Sequence, residues 1–276
     1  MNFLQRLASG TKRQFQIIFA LMAYDKDVKS TGTFGNWQSL IDAAQLMAFF
    51  LLMRIGFSFL RGTNRFEAGG TTDIYFNIVV FMATGFSIAF LFRNVAIKAL
   101  SGIKMKAPLY YSRIKPLDIL LGTSLNDLQA LGTLSFLVLS LVWFFTWSFR
   151  MDSPGLALGV YLLTNLLAIG FGICVVFLGK LNKHITKIIK KLIQRLIIFT
   201  SGIFFATFEI PSYMRHFITW NPVLHGVELF RYSINNDYPI PDISLSYLVY
   251  CTMITLGFSL LLYRTNEALL LESDED

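Results

Sequence analysis

His225, Glu228 and Arg231 stand three residues apart within ITWNPVLHGVELFRYS, residues 218–233. Glu228 and Arg231, at i, i+3, suggest an ion pair worth about a few tenths of a kcal/mol if exposed. The rest of the chain supplies little to turn these groups into a catalyst. Its three histidines form no H-x-x-x-H, H-E-x-x-H or H-x4-D arrangement, and G-x-S-x-G is absent. The nearest approach to a phosphate-binding loop, GICVVFLGKL, has the wrong spacing, and Lys180 is followed by Leu181 where Ser or Thr is required. Cys174 and Cys251 have no neighbouring cysteine and read as packing residues, so neither a disulfide nor a metal framework is implied.

The elements that position these residues are apolar. Hydrophobic residues make up 54% of 276 and charged residues 15%, well below the roughly one quarter of a soluble domain. The charges cluster and leave runs of about 17–25 apolar residues, the length that crosses hydrocarbon as a helix. Period-two alternation is missing, which excludes a barrel. The fold class is therefore an all-α membrane protein with six transmembrane helices: Ser39–Leu60, Ile74–Phe92, Leu128–Phe149, Leu156–Gly179, Leu192–Ile210 and Leu245–Tyr263. The chain reads as one membrane domain, 1–276, without repeats, and its first residues show no signal-peptide pattern.

Lysine and arginine placement orients it. Five fall in 1–38, six in 93–117, six in 180–195 and one at Arg264, against five on the opposite side. Both termini are expected in the cytoplasm. The net charge of +7 is mostly this asymmetry, so by itself it says little about an anionic substrate.

Three segments between the spans carry pattern. RQFQIIFALMAYDKDVK, within 1–38, reads as a helix in the cytoplasmic interface, or as a plain topogenic flank. The connection 93–118 combines cations with Leu109, Tyr110, Tyr111 and Ile114 between Pro108 and Pro116, so it is either a docking surface or a topogenic loop. In 180–195, Leu181, Ile185, Ile188 and Leu192 form a stripe, read as a helix skimming headgroups or a cytoplasmic extension of the fifth span, with His184 exposed.

Segment 211–235 is expected outside. Tyr213, Met214, Phe217 and Ile218 share a face, and Asn221–Pro222 is a strong helix start. Val223, Val227, Phe230 and Ile234 line one side of the following helix, and His225, Glu228, Tyr232 and Asn235 the other. Two short helices too short to cross can pack into protein and close a path, or lie on the surface. Phe204, Phe205, Phe208, Tyr213, Phe217 and Trp220 gather nearby, as sugar-stacking rings or as an interfacial belt. Of the ionisable groups in the spans, Arg54 is placed deepest, facing an aqueous interior or paired structurally.

FMATGFSIAFLFRNV…KAPLYYSRIKPLDILLG, followed by SGIFFATFEIPSYMRHFITWNPVLHGVELFR, resembles the type-2 ABC exporter permeases, in particular the capsular-polysaccharide export branch. The match is strongest over 78–125 and 198–233. The resemblance implies a homodimer whose two copies form the pathway, with two separate ATP-binding cassette subunits docked below against the N-terminal helix and the 94–117 connection. Docking would then involve Lys104, Lys106, Pro108, Tyr110, Tyr111, Arg113 and Lys115. The partner subunits would hold ATP and Mg, so this chain carries no cofactor and no enzyme activity. The implied cargo is a lipid-linked capsular polysaccharide leaving across the bacterial inner membrane. A periplasmic adaptor and an outer-membrane channel would continue the route. Arg54, Phe204, Phe205, Phe208, Tyr213, Phe217 and Trp220 would flank the substrate path, and Asn221, His225, Glu228 and Arg231 would form an external gate. The first span is more polar at its start than the family pattern. O-antigen or teichoic-acid export by the same mechanism, or a membrane-embedded envelope transferase, are the competing readings. A secondary transporter would call for inverted repeats, which are not evident.

Overall fold

The computed structural model describes residues 3–30, 41, 44–45, 47–49, 52, 56, 78–100, 114–146, 151–181 and 183–265. Every regular element among them is helical: α1 (Phe3–Ser30), α2 (Ile78–Leu100), α3 (Pro116–Thr146), α4 (Pro154–Leu181), α5 (Lys183–Thr200), α6 (Ser212–Arg215), α7 (Pro222–Ile234) and α8 (Leu245–Thr265), with a single 3-10 turn at Thr207–Glu209. Proline occupies the first position of α3, α4 and α7, where its missing N–H costs nothing and its fixed φ favours a helix.

Among the described residues, four helices are long and apolar enough to cross a membrane: α2, α4, α8 and the Pro116–Phe144 stretch of α3. α2 and α4 are mostly buried and form the centre, whereas the most apolar stretches of α3 and α8 are mostly not buried. Small residues allow the close approach of the central helices. Gly172 on α4 faces Ala99 on α2 with no room for a Cβ, and a Cβ on Gly170 would stand 3.0 Å from the backbone of α8 at Leu256. Hydroxyls of Ser87, Ser135 and Tyr161 join α2, α3 and α4, with Ser135 and Tyr161 at 2.9 Å.

Several expected boundaries are corrected. The second span continues through Leu100, so the 93–118 connection is helical at its first end, and its expected start at Ile74 lies outside the described residues. The third begins at Pro116, twelve residues before Leu128. The run Leu192–Ile210 is not one span. Its helix covers Lys183–Thr200, and the chain leaves helical geometry at Gly202, whose φ of 78° favours glycine. Residues 201–210 are apolar because they pack inside the protein: Ser201, Gly202, Ile203, Ala206 and Thr207 are buried. The stripe on α5 is also shifted. Ile188 and Leu192 are exposed, while Ile193 is buried and Ile189 and Ile197 pack on the core. His184 is exposed, as expected. Ser39–Leu60 lies largely outside the described residues, including Arg54, and its described positions are helical.

α1 is one continuous helix docked along the first half of α3. Leu21 packs with Ile119, and a Cβ on Gly122 would meet the backbone of Ile18 and Met22. Asn126 donates to Asp25 at 2.6 Å and to the Met22 carbonyl at 3.0 Å, Lys26 donates to Gln129 at 2.7 Å, and Gln14 donates to Asp118. Phe15 and Phe19 point outward from the opposite face. On the other flank of α3, Lys98 from α2 donates to Asp127 at 2.6 Å.

Candidate functional site

α7 follows from its sequence at both ends. The Asn221 side chain accepts from Val223 N at 3.0 Å and caps the helix, and its amide donates to Thr200 Oγ1 at 3.1 Å, tying α7 to the end of α5. At the far end, the carbonyls of Ser233 and Ile234 accept from the N–H groups of Ser153 and Asp152, just before α4. A Cβ on Gly226 would stand 3.0 Å from Thr164 Oγ1 on α4 and 3.2 Å from Ile88 on α2, so α7 is wedged between the two central helices.

The polar side of α7 does not face solvent. His225, Glu228 and Arg231 are all buried, and the last two are fully so. The exposed Glu–Arg pair allowed by spacing alone is therefore replaced by an ion pair inside the core. Arg231 Nη1 donates to Glu228 Oε1 at 3.0 Å and to the Phe205 carbonyl at 3.3 Å. Its Nη2 donates to the Phe81 carbonyl at 3.2 Å and the Ile203 carbonyl at 3.5 Å. The guanidinium lies 3.5 Å from the centre of the Phe81 ring, a cation–π contact strengthened by burial. Glu228 Oε1 also accepts from Thr207 N at 3.3 Å, and the Tyr238 hydroxyl lies against the same carboxylate. Burial pushes the Glu228 carboxyl upward, opposed by Arg231, Tyr238 and Thr207. One arginine thus holds together α2, the 201–209 turn and α7. Phe81, Thr207 and Tyr238 belong to this clamp but were not singled out from sequence.

His225 forms a second tie. Ser244 N donates to its Nδ1 at 3.0 Å, so the proton sits on Nε2, which donates to the Thr219 carbonyl at 2.7 Å. The ring joins the loop before α7 to the start of α8 and packs on Tyr247, with ring centres 4.5 Å apart. Burial pushes its pKa downward. The folded state therefore resists a proton that the unfolded chain accepts near pH 6.5. Above about pH 6.5 this residue has no pH-dependent effect, and as pH falls from there through its lowered folded value, stability declines. Between pH 7.5 and 5.5 the wild-type melting temperature should fall further than that of His225→Gln. Equal falls would show that the ring does not resist protonation.

The six aromatic candidates divide into two groups. Phe204, Phe205 and Phe208 are half-buried, Phe208 edge-on to Tyr238 at 5.4 Å and Phe204 against Phe199 at 6.1 Å. Tyr213, Phe217 and Trp220 are exposed, as is Met214. They lie in a segment with only one helical turn, α6, fixed by Arg215 Nε donating to the Ile210 carbonyl at 2.8 Å. The Tyr247 hydroxyl donates to the Trp220 carbonyl at 2.6 Å and places this rim over the start of α8. Of the docking candidates, Lys115 is exposed immediately before α3, and its N–H donates to Asp118 at 3.0 Å. Lys104, Lys106, Pro108, Tyr110, Tyr111 and Arg113, like Arg54, lie outside the described residues.

Comparison with known proteins supplies the family. Polysialic acid transport protein KpsM of Escherichia coli is 28% identical over 195 residues, 70% of this chain and 75% of that protein. Capsule polysaccharide export inner-membrane protein BexB of Haemophilus influenzae is 23% identical over 220 residues, 79% of each chain. Capsule polysaccharide export inner-membrane protein CtrC of Neisseria meningitidis serogroup B is 24% identical over 192 residues, 67% and 69% of the two. The model of the ABC-2 type transporter family matches residues 30–235, which takes in α2 to α7 and every member of the Arg231 clamp except Tyr238, and the chain belongs to that family.

Proposed function

We propose that this chain is the membrane subunit of an ATP-driven exporter that carries lipid-linked capsular polysaccharide across the bacterial inner membrane. The observation that supports it most is the similarity to KpsM, BexB and CtrC over two thirds or more of each chain. Two copies enclose the path, and two separate ATP-binding subunits, which hold ATP and Mg, drive it. Both termini lie in the cytoplasm, and a periplasmic adaptor and outer-membrane channel take up the polymer beyond.

The docking surface in this reading is the basic 94–117 connection together with α1. The polar contacts between α1 and α3 support it: Asp118 takes both the Gln14 amide and the Lys115 N–H, so α1 adjoins the point where the connection enters α3. Movement imposed on either is passed to α3, and through Lys98–Asp127 to α2. Segment 211–235 acts as the external gate. The clamp sets its position, and Tyr213, Phe217 and Trp220 offer exposed ring faces to passing sugars.

Export by cells is the test. Combined Tyr213→Ala, Phe217→Ala and Trp220→Ala should reduce surface polysaccharide at least tenfold while leaving membrane insertion and capture of the ATP-binding subunit unchanged, since these rings contribute little to the core. Undiminished export by this variant would remove the rings from the path.

A further inference from the structure

α5 carries five cations and is not among the four helices apolar enough to span, yet it packs against both central helices, α2 and α4. Its inward face is Ile189, Ile193 and Ile197. Lys187, Lys191 and Arg195 recur every fourth residue and are exposed on the side of the helix opposite Ile193. Among the described residues, no carboxylate lies within ion-pair distance of these three.

From Lys187 to Arg195 the column rises about 12 Å along the helix axis. A headgroup layer is only about 5–8 Å deep on each side of the hydrocarbon. A helix standing against α2 and α4 therefore spreads these charges over more depth than one layer of lipid phosphates can satisfy. Hydrocarbon solvates none of them, so the face requires water and an anionic counterpart along its length. The column also has a direction. Five residues beyond Arg195, Thr200 is bound by Asn221 at the start of α7, so the cations lead toward the segment assigned as the gate.

We propose that Lys187, Lys191 and Arg195 line the polar path and bind successive anionic groups, carboxylate or phosphate, of the transported polymer. This inference rests on the exporter reading and specifies its cargo as a polyanion. Lysine and arginine spaced one helical turn apart hold such a chain by charge, without demanding one sugar stereochemistry. Neighbouring cations share the load, which permits sliding.

The test uses the full chain in discs of phosphatidylcholine, with dextran sulfate as the polyanion and unmodified dextran of equal length as the neutral control. Wild type should bind dextran sulfate and not dextran, with affinity falling as salt is raised. K187Q/K191Q/R195Q should weaken dextran sulfate binding at least tenfold, K191Q alone about threefold, and K187R/K191R/R195K should bind like wild type. If the triple variant does not fold, the single and the charge-conserving variants decide. Unchanged dextran sulfate binding by the glutamine variants would overturn the proposal. So would a column that serves lipid: phosphatidylglycerol then raises the wild-type melting temperature, the triple variant loses that rise, and dextran sulfate binding is unaffected. Failure of the exporter reading is separate, since it appears as absent polysaccharide export in cells whatever the isolated chain binds.

Discussion

Arg231→Ala should be the most damaging single substitution in the described structure, lowering stability by about 3–5 kcal/mol. The reason is the group left behind. Glu228 is fully buried, and without the guanidinium its carboxylate keeps the Thr207 N–H but no opposite charge. The carbonyls of Ile203 and Phe205 lose the guanidinium at the same time, and that of Phe81 keeps the Thr84 hydroxyl. Replacing both members of the pair by apolar residues of similar length, Glu228→Leu with Arg231→Met, should recover much of the loss, because the uncompensated charge disappears. Thermal unfolding of the purified chain in detergent, beside its accumulation in membranes, separates these outcomes. A loss below about 1 kcal/mol for Arg231→Ala would mean the ion pair is not what holds the 201–209 turn and α7 against α2.

Gly85→Val should strike the same clamp from the other side. A Cβ at Gly85 would stand 2.8 Å from Arg231 Nη2 and 3.0 Å from the Ile203 Cα. One neighbour is backbone and the other is already fixed by its hydrogen bonds, so neither gives way cheaply. Overpacking of this kind costs about 1–3 kcal/mol. Gly132→Ala and Gly159→Ala supply the contrast, since a Cβ at either position meets nothing within 4 Å. Both should be neutral or slightly stabilising through helix propensity. If Gly85→Val melts with these controls, the approach of α2 to the 201–209 turn is looser than described.

The sequence was a good guide to this chain where the physics is local. Asn221 and Pro222 announce the start of α7 because capping and proline geometry act within one turn. The apolar runs of α2, α4 and α8 announce themselves by length and composition. The run Leu192–Ile210 misled for a stated reason: apolar residues that pack inside the protein look the same as those that meet lipid, and only Gly202 marks the break. On α5, isoleucines and leucines occur at two overlapping registers, so periodicity alone chose Ile188 and Leu192 over the buried Ile193 and the half-buried Ile189 and Ile197. The clamp was half legible. Glu228 and Arg231 stood out as a pair, but three of the partners of Arg231 are backbone carbonyls, one of them 150 residues away, and backbone carbonyls leave no trace in residue identity.

The proposed function divides the labour: this chain would provide a conduit and its gate, and a separate subunit the energy. Reconstitution in proteoliposomes tests it most directly, with this chain, an ATP-binding partner subunit and a lipid-linked capsular polysaccharide, measuring ATP hydrolysis and polymer translocation together. The expected result is hydrolysis that depends on the partner, and translocation only when both proteins and ATP are present. Translocation by this chain alone, or ATP turnover without the partner, would contradict it.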